Sequence, residues 1–176
     1  IAYNKTHDFS GYKLIHEIGI KYVRIGARLK MMEPSADGVY DFRIWEDYIV
    51  GCKKYNLQPI ICMGASVPDW RGNMSYKDAL KLNYTLVTEF IKHFANQGII
   101  WEANNEPDHQ ESWFGQKSYV DNGTTAKTAD LNRNIIKDWV DFNRYTVHVI
   151  QKYDPKATFL NGPTFTGLQG TVDHYY

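Results

Sequence analysis

The sequence predicts an α/β fold built on a parallel sheet, and three observations predict it. Short apolar segments bounded by turn residues read as strands. Longer segments carry apolar residues every three or four positions and read as amphipathic helices. The two kinds alternate along the 176 residues. Such alternation means βα units, and right-handed crossovers bring the carboxyl ends of all the strands to one face of the sheet.

In chain order, an amphipathic segment near Phe9, Tyr12, Ile15 and Ile18 precedes a strand at about Lys21 to Ala27. Asp41 is placed to cap a helix whose stripe is Trp45, Tyr48, Ile49 and Cys52, at i, i+3, i+4 and i+7. Gln58 to Gly64 reads as the second strand. Leu86, Val87, Phe90, Ile91 and Phe94 form one face of the next helix. A third strand, Gly98 to Pro107, leads through a long loop to a helix with Ile135, Ile136, Trp139, Thr146, Val149 and Ile150, which ends near Asp154 and Pro155. Phe159 to Pro163 reads as the fourth strand.

The third strand, GIIWEANNEP, carries the chemistry. Its apolar run follows Gly98 and is cut off by Pro107, which cannot donate to a sheet ladder. Strand alternation puts Glu102, Asn104 and Glu106 on one face and Trp101, Ala103 and Asn105 on the other. Three polar side chains on an otherwise apolar strand are costly to bury without partners. A closed parallel barrel supplies partners from neighbouring strands and from its open mouth.

These residues resemble the clan of retaining glycoside hydrolases with (β/α)8 (TIM) barrels, clan A, and its families 5 and 39 in particular. There the fourth barrel strand ends in Asn-Glu-Pro after an aromatic and a Glu, placed as Trp101 and Glu102 are here. The resemblance extends to residues 20 to 42, where Val23, Arg24 and Ile25 match the second strand and Glu33, Pro34, Gly38, Tyr40, Asp41 and Phe42 the loop after it. It also covers Gln58 to Gly64 with Pro68 and Trp70, and Phe159 to Pro163. It implies that Glu106 is the general acid/base and that Asn105 holds the sugar 2-hydroxyl. Arg24 is implied as support and electrostatic partner of the nucleophile. The reaction implied is hydrolysis of β-glycosidic bonds by double displacement, with a carbohydrate as substrate and no cofactor.

A complete barrel takes about 250 residues, and only four strands are legible here. The reading is therefore about strands two to five with their helices. Residues 1–176 are expected to be part of a single catalytic domain, truncated at both ends and completed by the parent chain or a second chain. On the clan pattern the nucleophile sits on the seventh strand, so this segment alone is expected to be inactive.

Other readings of the same residues stand beside these. Glu106 could be a loop carboxylate or a helix N-terminal charge, and Asn105 a turn residue. Glu102 reads as half of a barrel-interior ion pair with Arg24. Trp70 and Trp113 read as substrate-binding walls on loops at the open face, or as parts of self-packed loops; residues 108 to 126 are long for a βα connection. A carbohydrate-binding pseudoenzyme, or a barrel of other chemistry, would carry the same segment.

Composition narrows the partners. Twenty basic and twenty acidic residues balance, with no basic footprint for nucleic acid and no apolar run long enough to be a membrane segment. Thirteen Tyr and five Trp suit stacking on sugars, though most also suit the core. The six histidines are scattered without ligand spacing, so no metal is expected. Cys52 and Cys62 read as small buried hydrophobes, with a bridge between them open if the chain is secreted. Sequons at Asn4, Asn73, Asn83 and Asn122 point to an extracellular protein.

Overall fold

The computed structural model describes residues 8–72, 74–105 and 131–162, of which 131–136 are described by backbone alone. The elements run α1 (Ser10–Glu17), β1 (Tyr22–Arg28), α2 (Arg43–Lys54), β2 (Gln58–Gly64), α3 (Tyr76–Phe94), β3 (Ile100–Glu102), α4 (Leu131–Tyr153) and β4 (Thr158–Leu160). The strands form one sheet in the order β1-β2-β3-β4, every pair parallel. It is a four-strand arc of a (β/α)8 barrel, strands and helices alternating as the sequence predicts.

The register sorts the side chains into rows. Ile25, Ile61, Trp101 and Phe159 lie side by side across the four strands on the face that meets the helices. One residue further along, Gly26, Cys62, Glu102 and Leu160 form a row on the opposite, inner face. Below it lie Arg24, Ile60, Ile100 and Thr158.

The outer face is closed by the predicted helical stripes. In α2, Trp45, Tyr48, Ile49 and Cys52 are buried, and in α3 so are Leu86, Val87, Phe90, Ile91 and Phe94. From α4 come Trp139, Phe142, Thr146, Val149 and Ile150. Each large apolar side chain moved out of water here contributes about 1.5–3 kcal/mol. Phe90 is the hub, with the rings of Phe42, Trp45, Phe94 and Trp101 at 6.1, 5.0, 4.9 and 6.1 Å. The Trp101 indole donates to Asp154 Oδ2 at 3.0 Å, tying β3 to the end of α4. The Tyr48 hydroxyl donates to the Val23 carbonyl and accepts from the Ile60 N–H at 3.3 Å, pinning β1 to β2 from beneath α2.

Several boundaries differ from the sequence reading. Phe42, not Asp41, occupies the N-cap of α2; Asp41 still accepts the Arg43 N–H, at 3.1 Å, from one residue earlier. Ser75 caps α3, accepting the Asp78 N–H at 3.1 Å while its hydroxyl donates to Asp78 Oδ2 at 2.6 Å. In α1, Tyr12 and Ile15 pack against the core, but Ile18 lies past the helix and is exposed. Gly51 lets α1 approach α2, because a Cβ there would sit 2.8 Å from the Tyr12 ring and 2.9 Å from that of Phe9.

Cys52 and Cys62 are both buried and free, so the bridge left open by the sequence is not formed. They lie on opposite sides of the sheet plane, Cys52 among the helices and Cys62 in the inner row. Burial pushes each thiol up to about 11.

Among the four sequons, Asn83 is fully buried. Its Nδ2 donates to the Ser66 carbonyl at 3.1 Å and the Ala79 carbonyl at 2.9 Å, and its Oδ1 accepts the Ser66 N–H at 2.9 Å. A glycan on that nitrogen is incompatible with this packing. Asn4, Asn73 and Asn122 lie outside the described residues.

Candidate active site

The site begins with the end of β3. The ladder is shorter than the sequence suggests, Ile100 to Glu102, with one further bond from the Ala103 N–H to the Leu160 carbonyl at 2.9 Å. Beyond Ala103 the chain leaves the ladder, and the strict alternation expected through Glu106 breaks. Asn104, buried, turns across the end of β2 and accepts the Ala65 N–H at 2.8 Å. Asn105 turns to the inner face, the side of Glu102 rather than of Trp101. The cause is local: the Ala65 N–H lies beyond the β2 ladder and Asn104 Oδ1 satisfies it.

Gly162, just past β4, presses against this turn. A Cβ at Gly162 would fall 1.9 Å from the Asn104 carbonyl oxygen, so only glycine permits that approach.

On the inner face Arg24 reaches from β1 across β2 to β3. Its Nε donates to Glu102 Oε2 at 2.6 Å and its Nη2 to Glu102 Oε1 at 2.8 Å. The same Nη2 donates to Asn105 Oδ1 at 2.9 Å. The Glu102 side chain is 7% exposed and that of Arg24 42%, so the pair is anchored at its carboxylate end and open at its guanidinium end. The ion pair read from the sequence is therefore present. Cys62 lies between the partners in the strand order and donates to the Ala103 carbonyl at 3.1 Å. Burial raises its pKa first, the Glu102 carboxylate raises it further, and Arg24 opposes.

Trp70 belongs to a second cluster, formed by the loops after β1 and β2. Its indole donates to the Glu33 carbonyl at 2.8 Å, and the Arg71 guanidinium lies 4.5 Å from the centre of its ring. Glu33 is 1% exposed, accepting the Gly38 N–H at 2.8 Å and Arg71 Nε at 2.9 Å. Arg71 also pairs with Asp37. Trp70 itself stays 41% exposed, held by its ring nitrogen and one face. The resemblance singled out Glu33 and Gly38 by pattern alone, and their bond gives the physical reason: the carboxylate folds the loop back on itself. Nothing in a single sequence marks Arg71, and the sequence marks Asn83 only as a sequon.

The structure thus brings Arg24, Glu102 and Asn105 together and places Trp70 in the neighbouring loop cluster. Glu106 and Trp113 lie outside the described residues. Among the described residues no three His, Cys, Asp or Glu side chains gather as a metal site, and no helix is long and apolar enough to cross a membrane.

Neither a family profile nor a curated protein matches the sequence. Solved structures do match. A family 39 glycoside hydrolase from the gut symbiont Bacteroides cellulosilyticus superposes with a TM-score of 0.63 at 16% identity, over 92% of this chain and 30% of its own. An endoglucanase from the hyperthermophilic Thermotoga maritima gives 0.61 at 16%, over 95% and 48%. A β-galactosidase from the Antarctic haloarchaeon Halorubrum lacusprofundi gives 0.66 at 12%, over 90% and 34%. This chain spans 30 to 48% of the length of these proteins, and at these identities the likeness is one of fold.

Proposed function

We propose that residues 1–176 are part of the catalytic domain of a retaining β-glycoside hydrolase, with Glu106 as general acid/base. The nucleophile, on this reading, lies on a strand outside the segment. The observation that carries the reading is the polar network at the carboxyl end of β3. Arg24, Glu102 and Asn105 converge there on the inner face of a barrel-type sheet, where (β/α)8 enzymes keep their active sites. Asn105 is the residue immediately before Glu106. The fold shared with glycoside hydrolases supports the same class of chemistry.

In this mechanism Glu106 protonates the glycosidic oxygen while the nucleophile attacks the anomeric carbon. It then takes a proton from the water that releases the glycosyl-enzyme. The two carboxyl groups must stand about 5–5.5 Å apart for that work. The negative nucleophile keeps the acid protonated until the first step has removed its charge. Asn105 holds the sugar 2-hydroxyl beside the reacting carbon, and Trp70 and Trp113 line the approach. With the nucleophile elsewhere, the segment alone is inactive. An extracellular location fits oligo- or polysaccharide substrates and the sequons at Asn4, Asn73 and Asn122.

The test is hydrolysis of aryl β-glycosides by the full-length protein and its Glu106→Ala variant, with and without azide. The expected result is loss of activity on poor leaving groups, with azide restoring turnover as a β-glycosyl azide. Equal hydrolysis by both proteins refutes the assignment. Sugar binding by both without any hydrolysis would instead make this a carbohydrate-binding protein.

A further inference from the structure

The bond between Arg24 and Asn105 fixes which way the Asn105 amide points. A guanidinium only donates, so the Asn105 atom 2.9 Å from Arg24 Nη2 is its oxygen. That leaves Nδ2, a donor, as the group Asn105 can offer to something else. Nη2 carries two protons. One goes to Glu102 Oε1 and the other to Asn105 Oδ1, while the single Nε proton goes to Glu102 Oε2. The carboxylate thus takes one whole edge of the guanidinium in a two-point grip, the geometry that best fixes an Arg plane. Arg24 sits on a long flexible stem with its side chain 42% exposed. That grip fixes the guanidinium plane, and with it the direction in which Nη2 meets Asn105.

We propose that Glu102 is a positioning residue: by gripping Arg24 along one edge it aims Nη2 at Asn105 Oδ1, and so presents the Asn105 Nδ2 donor to a hydroxyl oxygen of the bound sugar, the one beside the reacting carbon. The proposal rests on the glycoside hydrolase reading and adds a role that an ion pair kept only for stability would not have. It requires a carboxylate at residue 102. A Gln has one acceptor oxygen, and its amide N–H would face an Arg donor; an Asp is one methylene too short for the span from β3 to Arg24.

The experiment compares the full-length wild type with Glu102→Gln on two substrates, an aryl β-glycoside and its 2-deoxy analogue. Bonds to the 2-hydroxyl strengthen in the transition state. On the 2-hydroxy substrate the variant therefore loses about 10- to 100-fold, mostly in kcat, the scale of a misaimed catalytic contact. On the 2-deoxy substrate, where Nδ2 has no oxygen to meet, the two proteins agree within about twofold. In 15N-labelled protein the Arg24 Nε–H resonance, protected from exchange in the wild type, loses its protection in the variant whether or not substrate is present. Equal loss on both substrates, no loss on either, or an unchanged Arg24 resonance overturns the positioning role while leaving the Glu106 assignment standing. If Glu106→Ala hydrolyses as the wild type does, the enzyme reading fails first and the positioning role with it. Should Glu102→Gln not fold, Glu102→Asp carries the test: it keeps the charge but falls one methylene short of gripping both Nε and Nη2, so the same substrate selectivity is expected.

Discussion

On the outer face of the sheet the row Ile25, Ile61, Trp101 and Phe159 meets helices, and what holds it is apolar packing around Phe90 and its ring neighbours. On the inner face, one residue further along, the row contains Gly26, Cys62 and Glu102, and what holds it is a directed set of hydrogen bonds from Arg24. Outer contacts are many, individually weak and indifferent to orientation. Inner contacts are few, each with a required donor and acceptor. Substitutions outside should therefore cost stability, and substitutions at the inner strand ends should cost function first. The Glu33–Arg71 loop cluster lies between these extremes, its carboxylate buried like the outer face and its bonds directed like the inner one.

The strongest way to break this contrast is Phe90→Ala. Removing the hub should lower unfolding stability by about 3–5 kcal/mol, read from the urea midpoint at constant slope. A loss below about 1 kcal/mol would mean the outer face does not depend on close packing. Next comes Glu33→Gln in the loop cluster. It leaves Arg71, which is mostly buried, with the exposed Asp37 carboxylate but without the buried one, and a loss of about 3 kcal/mol is expected in the same assay. Asn83→Ala should cost about 1–3 kcal/mol by leaving the Ser66 N–H and carbonyl without partners. Mass spectrometry of protein made in a eukaryotic secretory route should also find Asn83 unmodified.

The smallest effect concerns the thiols. Each has a pKa raised to about 11, so each stays protonated as pH rises through the physiological range. At pH 8 only about one thiol in a thousand is thiolate. Iodoacetamide should leave Cys52 and Cys62 untouched in the folded protein and label both in urea. Labelling of either in the native state would show that its burial is incomplete.

Most of the fold was legible because the outer face writes itself into the sequence as periodicity. The stripes of α2 and α3 and the limits of β2 were all readable from apolar spacing. Boundaries set by a single hydrogen bond were not. Whether Asp41 or Phe42 caps α2, and where β3 leaves its ladder, depend on the geometry of a few bonds. Strict alternation placed Asn105 on the wrong side because it had no knowledge of the Ala65 N–H that draws Asn104 across β2. The Arg24–Glu102 pair was legible, since two opposite charges on inward positions of one barrel need each other. Its third member, Asn105, was named for another reason, the Asn-Glu-Pro resemblance. The Glu33–Arg71–Trp70 cluster was half legible, its carboxylate by resemblance and its arginine not at all. Asn83 shows the converse, a sequon by spelling and a buried structural amide in fact.

The central claim is that the inner strand ends hold a retaining glycosidase site, and the stereochemistry of the first product tests it most directly. Proton NMR should follow the anomeric signals in the first minutes of hydrolysis of an aryl β-glycoside by the full-length protein, before mutarotation mixes them. The β-anomer appearing first is the predicted result. The α-anomer appearing first would mean single displacement and a different arrangement of carboxylates, and would contradict the account, as would the absence of any hydrolysis.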